Sequence, residues 1–165
     1  MLHRAMLSLG SNAGDRSRLL ETARQNIAEA VGPIRLASRE YRTEPWGNFA
    51  DTRPVEPFLN QVLVVETLQS PLELLDTLQQ IEHRLGRPVH TPEYTPGGQR
   101  IYRSRPIDLD ILFYDSLVLD TPRLTIPHPQ LARRRFVLEP AAEICPEFRH
   151  PVLKISLQEL LNSIL

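Results

Sequence analysis

Two aspartates stand inside a segment that otherwise reads as buried strand: Arg105-Pro106-Ile107-Asp108-Leu109-Asp110-Ile111-Leu112-Phe113-Tyr114. The apolar residues belong in a core, but the carboxylates forbid that for one face. Strand side chains alternate, so residues two apart point the same way. Any fold of this chain must cover one side of the strand with apolar structure and leave Asp108 and Asp110 together on the other. Two anions that close repel unless a counter-charge joins them. A hard divalent cation serves. Mg²⁺ takes oxygen ligands, often from only one or two carboxylates, and keeps the rest of its shell for water and substrate phosphates. This segment alone points to a metal-dependent phosphate enzyme.

The remaining composition narrows the field. A chain of 165 residues fits one domain, 1–165, around one core. No apolar run is long enough to span a bilayer. Met1–Asn12 is too short for a signal peptide, and Arg4 interrupts it. Cys145 is the only cysteine, which fits a reducing cytoplasm and a structural role for that residue. A net charge of −1 argues against a general nucleic-acid binder. A soluble, monomeric, cytoplasmic protein is expected. The basic residues are unevenly placed: Lys154 is the only lysine, and nine arginines fall between positions 84 and 135, around the Asp pair. Arginine grips phosphate through a planar fork of donors.

The patterning predicts a short strand over Arg4–Leu9, then a turn and helix cap at Gly10-Ser11-Asn12. A helix follows, carrying Leu19, Leu20, Ala23, Ile27, Ala30 and Val31, and ends at Gly32-Pro33. Ile34–Tyr41 and Phe58–Glu66 read as strands. Ser70-Pro71-Leu72-Glu73 is a capping box with proline at the first helical position, and it opens a second helix that ends at Gly86. The Asp strand follows, then a short strand within Val118–Leu124, one or two helices within Leu131–Ile144, and a helix over Leu157–Leu165. The order β-α-β-β-α-β is the ferredoxin-like plan, an α+β fold whose antiparallel sheet carries helices on one face and leaves the other for ligands. The connections Arg42–Pro57 and Gly86–Arg105 are long for a compact domain and read as lids.

Several polar residues stand out against this frame. Asn60 interrupts an apolar strand and shares a face with Phe58, Val62 and Val64. The sheet could satisfy it, or it could read the edge of a flat heterocycle. Glu82 flanks the second helix's apolar stripe with Gln79 one turn before it and Arg87 just beyond; read alone, this is a solvated helix face. His128 lies between Arg123 and the run Arg133-Arg134-Arg135-Phe136. A histidine and several arginines beside paired carboxylates suit a metal-bound polyphosphate. There is no P-loop, no GxGxxG, no zinc pattern and no nucleophile elbow.

Taken in order, these segments resemble the 6-hydroxymethyl-7,8-dihydropterin pyrophosphokinase family. The match runs through Leu9-Gly10-Ser11-Asn12, Tyr41-Arg42-Thr43-Glu44-Pro45-Trp46-Gly47, Phe58-Leu59-Asn60, Ile81-Glu82, and Gly86-Arg87. It continues through Arg105–Leu112, Arg123-Leu124-Thr125-Ile126-Pro127-His128-Pro129, and Arg134–Pro140. The resemblance implies transfer of pyrophosphate from ATP to a pterin hydroxymethyl group, with release of AMP, in folate synthesis. It implies two Mg²⁺ on Asp108 and Asp110, with Arg105 as a catalytic partner. Thr43, Pro45, Trp46, Gly47, Phe58, Asn60 and Phe136 would hold the pterin. Gln79, Glu82, Arg87, Arg105, Ile111, Arg123, Thr125, His128 and Arg134 would surround the nucleotide. The Gly86–Arg105 connection is longer than the family's usual spacing, and Pro129 stands where an aromatic often follows the histidine. Other two-metal enzymes on such a sheet, nucleotidyl transferases and cyclases, would not call for Asn60 with Thr43–Gly47. An RNA-binding sheet would need a basic, aromatic surface.

Overall fold

The computed structural model describes residues 1–12, 15–43, 48–49, 57–86, 93–102 and 107–164. The first strand, β1, runs over His3–Ser11 and leads to helix α1, Arg16–Ala30. Gly10 and Ser11 therefore extend the strand, where the sequence suggested a turn. The helix cap is Asp15, whose carboxylate accepts the Arg18 N–H at 3.2 Å. The expected strand Ile34–Tyr41 is two strands, β2 (Ile34–Ala37) and β3 (Tyr41–Thr43). Buried Ser38 divides them. Its hydroxyl accepts the Val62 N–H at 3.0 Å, and its carbonyl accepts from the Gln61 side chain at 2.6 Å.

A two-residue strand, β4 (Asn48–Phe49), precedes the long central strand β5, Phe58–Thr67. Helix α2, Pro71–Arg84, opens with the full capping box at Ser70 and Glu73. Then come β6 (Glu93–Tyr94), β7 (Arg100–Tyr102), β8 (Asp108–Tyr114), β9 (Leu119–Asp120) and β10 (Thr125–Ile126). A 3₁₀ turn over Leu131–Arg133, α3 (Arg135–Ile144) and α4 (Leu157–Ser163) complete the chain. Among the described residues, no helix is long and apolar enough to cross a membrane.

The main sheet has the order β2-β5-β1-β8, all antiparallel, with β3 beside the start of β5. This is the ferredoxin-like plan. Ala5, Leu7, Leu9, Leu63, Val65, Leu109 and Ile111 pack on the apolar stripes of α1 and α2. The second face is not left wholly to ligands. Met6, Val62, Val64, Leu112 and Phe113 form a second core with α3 and α4. The reason lies in the alternating positions: large apolar residues occupy one end of that face and must be covered. At the other end stand Ser8, Gly10, Asn60, Asp108 and Asp110, and neither core includes them.

The long connections also contain regular structure. β4 comes from the first and pairs in parallel with β7 from the second, and β7 pairs with β6 through a turn at Thr95–Gln99. The three strands form a small sheet of their own, so strand pairing joins the two segments read as separate lids.

Candidate active site

The sheet register builds the site. β1 lies between β5 and β8, and Gly10 is paired with Asn60 on one side and Asp108 on the other. Ser8 is the neighbour of Asp110. Along this face β1 tapers from Met6 to Ser8 to Gly10, so space opens between Asn60 and the aspartates. A Cβ on Gly10 would lie 3.0 Å from Asn60 Oδ1 and 3.8 Å from Phe58 Cδ1. Glycine thus forms a flat floor. The sequence treated this residue as part of a turn; the taper of alternate residues in β1 was the signal for its place.

On one side of the floor is an amide wall. Asn60 is buried, and its Nδ2 donates to Thr43 Oγ1 at 2.6 Å. Phe58, two residues earlier on the same face, is half-buried. Arg16 secures the start of this strand by donating to the Pro57 carbonyl at 2.5 Å. Phe136 stands in the first turn of α3, half-buried, with the Arg134 guanidinium 5.6 Å from its ring centroid.

On the other side are the carboxylates. Asp108 and Asp110 are both half-buried, while Leu109 between them is buried in the opposite core. Glu82 is not a solvated helix residue. It is buried, and its Oε2 accepts the Leu109 N–H at 2.8 Å, anchoring β8 between the two aspartates. This bond satisfies a backbone donor that β1 does not take. One extra residue, Leu112, interrupts the β1–β8 register opposite Met6 and Leu7. Its carbonyl accepts the His128 N–H at 3.0 Å and so fixes the histidine against β8.

His128 Nδ1 accepts the Gln130 N–H at 3.1 Å, which places the ring proton on Nε2. Nε2 lies 4.0 Å from Asp110 Oδ2. Burial, aided by the Arg134 charge and only partly offset by Asp108, pushes the His128 pKa down to about 4. The ring is therefore neutral at neutral pH. An unfolded histidine titrates near 6.5, so the unfolded chain binds more protons as pH falls from 6.5 to 4. That contribution to stability is complete above pH 6.5 and is lost across this window, by up to about 3 kcal/mol. In urea titrations of the metal-free protein at pH 7 and pH 4, the wild type should lose more stability than His128→Gln by roughly that amount. Equal losses would refute the assignment.

The other sequence-predicted residues divide clearly. Arg123 donates to Asp76 of α2 at 2.6 Å, and exposed Gln79 follows Asp76 by three residues on the same helix. Thr125 Oγ1 donates to Asp120 at 3.3 Å. The Ile111 side chain is buried in the helix-side core, so only its backbone can face a ligand. Pro45, Trp46, Gly47, Arg87 and Arg105 lie outside the described residues. Cys145 is half-buried against the second core, and burial pushes its thiol up, as suits a structural residue.

Paired strand carboxylates and a buried asparagine on one face of a ferredoxin-like sheet form a polar site of a kind that suits a phosphate-handling enzyme. The sequence model of the family described as 7,8-dihydro-6-hydroxymethylpterin-pyrophosphokinase matches residues 6–146. The chain belongs to that family. It is 40% identical over 146 residues to a 2-amino-4-hydroxy-6-hydroxymethyldihydropteridine pyrophosphokinase of Porphyromonas gingivalis, covering 88% of this chain and 92% of that one. A Bacillus subtilis protein of the same name is 38% identical, covering 87% and 78%. The fission-yeast folic acid synthesis protein fol1 is 38% identical over 97% of this chain, which spans only 20% of fol1. Among solved structures, a Plasmodium falciparum HPPK-DHPS crystal structure superposes with a TM-score of 0.76 at 18% identity, covering 99% of this chain and 45% of that one.

Proposed function

We propose that this chain transfers a pyrophosphoryl group from ATP to the hydroxymethyl group of 6-hydroxymethyl-7,8-dihydropterin and releases AMP. The observation that carries this is the pairing of Gly10 with Asn60 on one side and Asp108 on the other. That register sets Asn60 and the Asp108–Asp110 pair on one face with β1 between them, which supports a pterin reader on one side and a phosphate site on the other. The pterin lies over Gly10 with its polar edge at Asn60 and Thr43 and its ring between Phe58 and Phe136; Pro45, Trp46 and Gly47 are its further contacts by the family resemblance. ATP lies on the side of Gln79, Glu82, Arg123, Thr125, His128 and Arg134, with its base against the Ile111 backbone.

Asp108 and Asp110 fit two Mg²⁺ ions. They offer hard oxygen donors, half-exposed on one face, with no side chain at Gly10 to fill the space beside them. The ions, when bound, supply charge neutralisation on the triphosphate. The chain's own part is orientation: Asn60 and the aromatics aim the hydroxyl, while Arg134, Arg87 and Arg105 take phosphate charge. His128 offers its Nε2–H as a neutral donor beside Asp110.

The test is AMP release from ATP and Mg²⁺ with and without the reduced pterin alcohol. AMP should form only when the pterin is present, in step with pterin consumed. If no reduced pterin supports AMP release, the assignment fails.

A further inference from the structure

Glu143 lies in the last turn of α3, far along the helix from Phe136, and both its oxygens are engaged. Oε1 accepts from the Tyr41 hydroxyl at 2.5 Å and from Arg39 Nε at 3.1 Å, and Oε2 accepts the Arg39 backbone N–H at 3.0 Å. Arg39 also donates to the Tyr41 hydroxyl at 3.0 Å, with its guanidinium 4.9 Å from the tyrosine ring centroid. Burial raises the Glu143 carboxyl, but the Tyr41 and Arg39 donors outweigh it and hold the pKa low, so the group stays ionised. Exposed charge pairs contribute little to stability. A closed network of three side chains here calls for a geometric explanation.

The two elements it joins converge on the site. β3 is three residues long and, among the described residues, pairs only with the start of β5. Tyr41 is in register with Asn60, and Thr43, two residues on, accepts the Asn60 amide. α3 packs against both β3 and β5 on this face. Its first turn presents Phe136, about 10 Å along the axis from Glu143.

We infer that Arg39, Tyr41 and Glu143 are positioning residues that lock α3 to β3 and so fix the gap between Phe136 and the Thr43–Asn60 wall. A flat ring then enters a slot of preset width and does not have to order it on binding. This inference rests on the assignment of that slot to the pterin.

Steady-state kinetics of Tyr41→Phe and Glu143→Gln test it, since each breaks a link and keeps the side chain's shape. The pterin KM should rise about fivefold to tenfold, as expected when the net worth of one ordinary hydrogen bond is passed on to binding. The ATP KM and the unfolding midpoint should stay close to wild type. The double variant should be little worse than the worse single, because both changes break one link. Arg35→Ala, which removes the Arg35–Glu66 pair on the same sheet, should alter neither KM. A wild type without pterin-dependent AMP release overturns the slot assignment and this inference together. If the wild type turns over and both variants keep its pterin KM, the inference alone is overturned. The same holds if both KM values rise together as the unfolding midpoint drops.

Discussion

Asp110→Asn protein should fold like the wild type and release AMP at least about a thousandfold more slowly, since metal-borne charge stabilisation is worth several kcal/mol in the transition state. The substitution keeps shape and removes one charge. Asp110 belongs to neither apolar core, and its strand is held by β1, by Glu82 at the Leu109 N–H and by His128 at the Leu112 carbonyl. None of these anchors requires the Asp110 charge, so the unfolding midpoint should move by no more than a few degrees. Asp108→Asn should behave alike, because the two side chains share a face and the pair acts as a unit. Mg²⁺-dependent ATP binding, followed calorimetrically, should weaken in both. Near-wild-type AMP release from either variant would remove the carboxylate pair from the mechanism.

What the sequence made legible follows from how local each signal is. The strand position of the Asp pair needed only side-chain alternation, and the Ser70 capping box needed four residues; both elements lie where the sequence put them. Asn60 was recognisable as an anomaly, but its partner Thr43 sits 17 residues away on another strand. Glu82 looked solvated because helix periodicity cannot reveal that a neighbouring edge strand will present a bare N–H to it. Ile111 reads as apolar in any setting; only the register assigns its side chain to the helix-side core. The divided strand at Ser38, the pairing of β4 with β7 and the Glu143 network all join residues far apart in sequence. No local pattern predicts such pairings. The taper from Met6 through Ser8 to Gly10 was local and was present in the sequence, but it gains meaning only once β1 is known to lie between β5 and β8.

That position makes Gly10 the most informative residue to change next. Gly10→Val should raise the pterin KM about a hundredfold and Gly10→Ala about tenfold, the range expected when a filled site is overpacked by 1–3 kcal/mol. No left-handed backbone angle demands glycine here, so the cost is steric and falls on the ligand side. An added Cβ meets Asn60 Oδ1 at 3.0 Å, and Asn60 cannot turn aside without losing its 2.6 Å bond to Thr43. The branched methyls of valine would go further, into the space above the floor. The protein itself should not suffer in proportion, because glycine weakens a strand and valine favours one. ATP binding measured without pterin should change by no more than about twofold, since the proposed ATP site is on the far side of the carboxylates. Loss of pterin affinity with retained fold and retained ATP binding would separate the two halves of the site. A Gly10→Val enzyme with an unchanged pterin KM would show that the pterin does not lie over β1 at all.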